Sequence, residues 1–153
     1  MSEETRFPRR KKLPHDVPGW VQDGSRYFIT VNCKARGINA LCANGVSLRL
    51  LESVTAYEQR GLWFIFVMMV MPDHLHLIAS FPREPGLLTT MQSWKRYFAR
   101  TCGIDWQSGF FEHRLRNEPE FDEKMSYVLL NPVRKLLASS TENWPHKFVR
   151  GER

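Results

Sequence analysis

Apolar and polar positions change period along the chain, and each change predicts a different element. Residues 27–33 alternate between two faces, with Thr30 and Asn32 on the more polar one, and this period of two is typical of a strand. Residues 63–70 are continuously apolar, Pro72 and Asp73 supply a turn, and residues 74–81 run back. This order predicts an antiparallel hairpin.

Helical periodicity predicts three helices. The first follows an Asn-Gly turn and ends before Gly61, the second covers residues 86–101, and the third extends to about residue 136. Residues 106–116 have no clear period and are predicted to be an irregular connector. The apolar stripes recur three or four residues apart, at Leu50, Leu51, Val54 and Tyr57; at Leu87, Met91, Trp94 and Phe98; and at Phe121, Met125, Val128, Leu129, Pro132 and Leu136.

The first 24 residues show no apolar periodicity and are predicted to form a basic N-terminal extension. Arg9, Arg10, Lys11 and Lys12 lie in it. Such a segment is either a solvated tail or an arm that contacts phosphates. Residues 25–147 are then predicted to form one domain, and residues 148–153 a short C-terminal tail.

Composition narrows the possible partners. The 153 residues suffice for one domain, and 22 Lys and Arg against 16 Asp and Glu give a net charge of +6, which favours a polyanion such as nucleic acid. The longest apolar run is too short for a bilayer, and the N-terminus is charged. Three cysteines without a Cys-x-x-Cys spacing argue against a disulfide framework and suit a cytoplasmic protein.

Two histidines separated by one residue are the first candidate for chemistry. Side chains alternate along a strand, so His74 and His76 point to one face while Leu75 and Leu77 point to the other. Two neutral imidazoles side by side can bind a divalent cation. The alternative is a polar strand face without a ligand.

A tyrosine off the apolar stripe of the last helix is the second candidate. Tyr127 and Asn131 lie on one side of that helix, nearly opposite the stripe and close to Lys124 and Arg134. The tyrosine either faces a functional surface or is a half-exposed structural residue. Pro132 disfavours the α conformation at Asn131, so a kink or an end of the helix is expected there.

Basic and aromatic residues provide candidate contacts to nucleic acid. The outer face of the second predicted helix carries Lys95 and Arg96, and the connector carries Arg114 and Arg116 next to aromatic residues. Bases of single strands stack on rings while guanidinium groups hold phosphates. Phe110 and Phe111 fit a packed aromatic loop equally well.

Three blocks together resemble the HUH single-tyrosine transposases, and within them the REP-associated tyrosine transposases. The blocks are Pro-Asp-His-Leu-His-Leu at residues 72–77, Trp-Gln-Ser-Gly-Phe-Phe-Glu-His-Arg-Leu-Arg-Asn at residues 106–117, and Ser-Tyr-Val-Leu-Leu-Asn-Pro-Val-Arg at residues 126–134. The resemblance covers roughly residues 5–147. It implies a single α+β domain with an antiparallel sheet, helices on one face and a ferredoxin-like arrangement.

The resemblance also implies a chemistry. Tyr127 corresponds to the nucleophile that forms a 5′-phosphotyrosine with single-stranded DNA, and His74, His76 and Asn131 correspond to the metal ligands. Mg²⁺ or Mn²⁺ is the expected cofactor. The expected partner is single-stranded or hairpin DNA, with no membrane, and the protein acts as a monomer or homodimer.

Two alternatives to a strand-transferring enzyme stay open. One is a non-cutting, domesticated protein that binds hairpin or single-stranded DNA on the same scaffold. The other is a metal protein unrelated to DNA. The presence of the tyrosine, both histidines and the asparagine favours the enzyme over a binder, because a protein that only binds DNA does not need all four.

Overall fold

Five antiparallel strands form one sheet in the computed structural model, which describes residues 17–151 apart from the side chain of Asp23. The sheet order is β4-β1-β3-β2-β5, and every pairing is antiparallel. The strands are β1 Arg26–Asn32, β2 Phe64–Val70, β3 His74–Ser80, β4 Phe111–Leu115 and β5 Lys147–Val149; the helices are α1 Gly19–Asp23, α2 Val46–Gln59, α3 Leu87–Cys102 and α4 Glu118–Arg134.

The larger core lies between one sheet face and helices α2 and α3. Leu50 and Val54 of α2 pack there with Met91 and Trp94 of α3, against the sheet face that carries Leu77. These helix positions belong to the predicted stripes, because residues three and four apart share one helix face. The predicted β2–β3 hairpin and both helices are confirmed.

The second core lies on the opposite sheet face, beneath α4. Phe121, Val128 and Leu129 of α4 pack there with Phe66 and Ile78 of the sheet. The α+β class and the single antiparallel sheet are confirmed, but the expectation of helices on one face only is wrong. A sheet needs a second apolar layer when its central strands are buried on both sides, and β2 and β3 are buried at every position.

Three local predictions are corrected. The predicted connector contains the edge strand β4, which pairs with β1. The apolar stripe of the last helix does not reach Leu136, because α4 ends at Arg134 and the Leu136 side chain is 90% exposed. The boundary after residue 147 cuts through β5, whose Val149 pairs with Val67.

The described part of the predicted N-terminal extension packs against the domain. Val17 and Val21 are buried in the second core, and α1 holds the latter. Residues 1–16 of the extension, which include Arg9, Arg10, Lys11 and Lys12, lie outside the described residues.

Cys33, Cys42 and Cys102 are free cysteines. Burial raises the pKa of the Cys33 thiol to about 11 and that of the Cys42 thiol to about 12. Within residues 17–151, no helix is long and apolar enough to cross a membrane.

Candidate metal and tyrosine site

Both histidines of the pair lie on the sheet face that α4 covers. They belong to the central strand β3, where His76 pairs with Thr30 of β1 and with Met69 of β2. Their ring centroids are 4.9 Å apart, and the His76 ring stacks on Phe28 with a centroid distance of 5.4 Å. The period of two therefore places two imidazoles side by side, as the sequence predicted.

Each imidazole has one nitrogen held by a neighbour. The Nδ1 atom of His74 lies 2.7 Å from Oδ1 of Asp73, and the Nδ1 atom of His76 lies 2.8 Å from Oγ1 of Thr30. The other nitrogen of each ring, Nε2, is the one left to coordinate a ligand. A metal-bound histidine commonly has this arrangement, with its second nitrogen bonded to a carboxylate or another oxygen.

Burial keeps both rings neutral. It lowers the pKa of His74 below its usual value, although the hydrogen bond and charge of Asp73 act in the opposite direction. For His76, burial and then the positive charges of its surroundings lower the pKa to about 3. A neutral imidazole is the form that binds a metal.

The Asp73 carboxylate is ionised and fully engaged. Burial alone would raise its pKa, but hydrogen bonds from Gly37, His74 and Arg36 outweigh burial and hold the pKa well below its usual range. The Gly37 backbone N–H donates to Oδ2 at 2.7 Å, and Arg36 Nε donates to the same oxygen at 3.1 Å. The loop after β1 is thereby attached to the strand that carries the histidines.

Tyr127 faces the histidines from α4. Its ring centroid lies 5.8 Å from that of His76 and 6.1 Å from that of Phe28, and the residue is 43% exposed. The sequence placed this tyrosine off the core stripe, and the structure places it at the edge of the α4–sheet interface. It is close to the His76 imidazole and open to solvent at the same time.

Two cations flank the Tyr127 ring. Lys124 Nζ lies 5.3 Å from the ring centroid, and the guanidinium carbon of Arg134 lies 4.7 Å from it. Arg134 also donates from Nη2 to the backbone carbonyl of Tyr127 at 2.6 Å. Nearby positive charge attracts phosphate.

Asn131 lies on the buried side of α4, contrary to the predicted position opposite the core stripe. Its side chain is 2% exposed, and α4 continues past Pro132 to Arg134. The reason is that the side of α4 bearing residues 127 and 131 borders the sheet. Leaving a buried amide unbonded is costly, and Asn131 Nδ2 has no hydrogen-bond partner within the described residues.

The donor set fits a divalent cation. Two neutral imidazoles offer Nε2 atoms, and the buried Asn131 amide of α4 contains an oxygen of a suitable donor type. Between residues 17 and 151, no cluster of three His, Cys, Asp or Glu side chains exists that could hold a metal. Among residues 17–151, a third protein ligand would have to be an oxygen of an amide, a hydroxyl or a backbone carbonyl.

The predicted DNA-contacting cations are distributed over different places. Lys95 donates to the backbone carbonyls of Gln107 and Gly109, and burial lowers its pKa, so it anchors the segment before β4. Arg96 is exposed on α3, which packs on the sheet face opposite the histidines. The N-terminal cations at positions 9–12 lie outside the described residues.

The cations near β4 are closer to the edge of the sheet. Arg114 lies on β4 and Arg116 directly after it, and both are exposed. Phe111 begins the same strand, is 56% exposed and contacts Phe28 at a centroid distance of 6.1 Å. An exposed aromatic ring thus extends the histidine-bearing face towards solvent.

The sequence predicted a turn at Asp73 but no contact with the histidines for Asp73, Thr30 or Phe28. Asp73 precedes the first histidine directly, so its position was a readable signal. Thr30 and Phe28 are 46 and 48 positions from His76 in the chain, and only the pairing of β1 with β3 brings them to it.

No family model matches the chain. Two curated relatives do: it is 26% identical over 125 residues to the REP-associated tyrosine transposase of Escherichia coli K12, covering 80% of this chain and 74% of the relative. It is 23% identical over 154 residues to a protein of Haemophilus influenzae named as a putative REP-associated tyrosine transposase, covering 84% of each.

A solved structure has the same fold. It is a REP-associated tyrosine transposase bound to a REP hairpin; it superposes with a TM-score of 0.71 at 24% identity, covering 91% of this chain and 82% of that one. The protein is thus a single-domain α+β protein with the fold of a tyrosine transposase. The resemblance to the REP-associated tyrosine transposases that the three sequence blocks predicted is confirmed.

Proposed function

We propose that this protein cleaves and rejoins single-stranded DNA through a covalent 5′-phosphotyrosine at Tyr127. The observation that carries the proposal is the placement of Tyr127 against His76, at 5.8 Å between ring centroids, on a half-exposed edge with two flanking cations. One chain supplies all of these residues. A tyrosine with only a structural role would not require a histidine contact, solvent exposure and two flanking cations together.

The reaction divides into two transesterifications. The Tyr127 hydroxyl oxygen attacks a phosphorus of the DNA backbone, forms the Tyr–O–P bond and gives up its proton. The P–O3′ bond breaks, and the departing 3′-oxygen takes up a proton as a free hydroxyl. In the second step a DNA 3′-hydroxyl attacks the phosphotyrosine, restores a phosphodiester and releases Tyr127, so no external energy source is needed.

The chain's own residues prepare the first step. Lys124 and Arg134 bring positive charge to the Tyr127 ring, where it stabilises negative charge on the non-bridging oxygens of a bound phosphate. His74, His76 and Asn131 are the residues that would hold a divalent cation, Mg²⁺ or Mn²⁺. Such a cation, when bound, polarises the phosphate and stabilises the charge that develops on it.

Hairpin-forming DNA is the proposed substrate. The solved relative with the same fold is bound to a REP hairpin. In this chain, the exposed ring of Phe111 and the exposed guanidinium groups of Arg114 and Arg116 provide stacking and phosphate contacts along the β4 edge. A cytoplasmic location belongs to this proposal, because thiols stay reduced in the cytoplasm and Cys33, Cys42 and Cys102 are free.

A covalent-adduct assay tests the proposal. The full chain is incubated with end-labelled hairpin and single-stranded oligonucleotides in Mg²⁺ or Mn²⁺, and denaturing electrophoresis detects protein-linked DNA. We expect an adduct that Tyr127→Phe abolishes, because phenylalanine has no nucleophilic oxygen, and that a chelator suppresses.

Tyr97→Phe is the matched control. Tyr97 lies on α3 and is 45% exposed, close to the 43% of Tyr127, but it packs against Phe98 and not against the histidines. The adduct should persist in this variant. Equal loss in both variants would contradict the assignment of Tyr127.

The second candidate is a hairpin-binding protein that does not cut. The surface features at β4 serve binding as well as cleavage, so they do not separate the two. Retained DNA binding without any adduct, across a broad panel of oligonucleotides and both metals, would favour the binder.

A further inference from the structure

The Nδ1 atoms of the two histidines are held by neighbours of different chemistry. A carboxylate faces His74, and a hydroxyl faces His76. A neutral imidazole carries its proton on one of its two ring nitrogens. A hydrogen bond made by either nitrogen decides which one is protonated. The partners of Nδ1 therefore decide whether Nε2 has a free lone pair.

The carboxylate leaves only one tautomer for His74. Oδ2 of Asp73 already accepts from the Gly37 N–H and from Arg36 Nε, so the group is held as an acceptor. A carboxylate cannot donate, so the 2.7 Å contact requires the proton to sit on Nδ1 of His74. The Nε2 lone pair of His74 is then free.

The hydroxyl at His76 is versatile by itself, because it can either donate or accept. Thr30 occupies the β1 position directly opposite His76 in the strand register, which fixes its hydroxyl at Nδ1. When Nδ1–H donates to Oγ1, His76 adopts the same tautomer as His74. Both Nε2 lone pairs are then free, on rings whose centroids lie 4.9 Å apart and whose planes are inclined by 76°.

We infer that Asp73 and Thr30 are positioning residues that hold His74 and His76 in the Nδ1-protonated tautomer, which leaves both Nε2 lone pairs available to a divalent cation. The relevance to metal binding rests on the proposed function, whereas the tautomers are properties of the metal-free chain. Arg36 and Gly37 take part indirectly, because they orient the carboxylate.

The tautomers are measurable without metal or DNA. Long-range ¹H–¹⁵N correlation spectra of the ¹⁵N-labelled full chain, with chelator at pH 7.5, distinguish a protonated from an unprotonated ring nitrogen. We expect protonated Nδ1 and unprotonated Nε2 for both residues. A wild-type spectrum with His74 protonated at Nε2 overturns the inference and requires no variant.

Asp73→Asn should invert the tautomer of His74. The amide oxygen is retained by the two donors, Gly37 N–H and Arg36 Nε, so the amide NH₂ turns to His74 and Nδ1 must accept. The Nε2 lone pair is thereby lost. Mn²⁺ affinity, measured by electron paramagnetic resonance titration, should fall about 10–100-fold.

Asp105→Asn is the matched control for the loss of one carboxylate. The Asp105 side chain is 77% exposed and pairs with Lys34 at 3.8 Å. In the Asp105→Asn variant, the His74 tautomer and the Mn²⁺ affinity should equal those of the wild type. An Asp73→Asn spectrum and affinity that match this control would refute the positioning role.

A second pair of variants tests Thr30. Thr30→Val removes the hydroxyl at nearly constant shape, so His76 should populate both tautomers, while Thr30→Ser should restore the wild-type spectrum. If the His76 tautomer is unchanged in Thr30→Val, Thr30 is not a positioning residue for His76. If the spectra show the expected tautomers but no DNA adduct forms, the proposed cleavage is wrong. The positioning roles of Asp73 and Thr30 would still hold.

Discussion

Two positively charged side chains, those of Lys124 and Arg134, lie next to the Tyr127 ring. Lys124 precedes it by almost one helical turn, and Arg134 follows it by two. Lys124 Nζ also lies 4.7 Å from the centroid of Phe28, the ring that supports His76. A phosphate that enters between Tyr127 and the histidines would therefore meet this ammonium group.

We expect Lys124→Gln to slow formation of the DNA adduct by about 10–100-fold, because an electrostatic stabiliser of the transferring phosphate is lost. Single-turnover rates at saturating oligonucleotide measure this effect apart from binding. Arg60→Gln is the matched control, since Arg60 also stacks over a tyrosine ring, that of Tyr57, at 5.4 Å. Equal rates in the wild type and Lys124→Gln would show that Lys124 does not stabilise the transferring phosphate.

The histidine pair could be read from the sequence, whereas the burial of Asn131 could not. Strand alternation has only two faces, so His74 and His76 had to share one. A helix face is continuous, and angular position alone does not tell which flank of the apolar stripe borders a neighbouring strand. The 2% exposure of Asn131 depends on how α4 settles on the sheet.

Among the elements, strand β2 could be predicted from its apolar pattern, whereas strand β4 could not. The unbroken apolar run of β2 is typical of a strand buried on both faces, and it signals the second helical layer on its own. The edge strand β4 is mostly exposed, so it has no apolar alternation to reveal it. Its strand conformation comes from the backbone ladder with β1.

The start of α4 has a well-defined cap. The Asn117 side chain accepts from the Glu120 N–H at 2.9 Å, a proline follows in the first turn, and Glu118 and Glu120 are acidic residues in that turn. A capping oxygen, a proline and negative charge all favour a helix N-terminus. The cap fixes the beginning of the helix that carries Tyr127.

Asn117→Ala should lower the free energy of unfolding by about 1 kcal/mol, because a backbone N–H at the helix start loses its acceptor. Asn117→Asp keeps an acceptor and serves as the control, with little change expected. Urea denaturation followed by circular dichroism measures both. An alanine variant as stable as the wild type would show that the cap contributes nothing.

At the scale of the whole molecule, two buried neutral histidines couple stability to pH. Burial and then neighbouring positive charges lower the pKa of His76 to about 3, and burial lowers that of His74. The unfolded chain has an ordinary histidine pKa of about 6.5, so it binds more protons than the folded chain as pH falls below that value. The free energy of unfolding therefore decreases from about pH 6 towards pH 4.

His76→Gln should reduce this pH dependence by about 1.4 kcal/mol per pH unit, the contribution of one titrating group. Urea unfolding of the metal-free protein at pH 6, 5 and 4 gives the two slopes, and the comparison of slopes is independent of any overall loss of stability. Parallel slopes for the wild type and the variant would show that His76 protonates equally in both states.

Strand β5 can join the sheet only after strands β1 to β4 have been synthesised. It covers the outer edge of β2, and Arg150 directly after it donates to the Ile65 carbonyl and pairs with Glu58 of α2. The β2 edge consequently stays open on the ribosome until residues 147–150 have emerged. An apolar strand with an open edge can pair with another chain, so β5 also protects this edge of β2 from such pairing once it is in place.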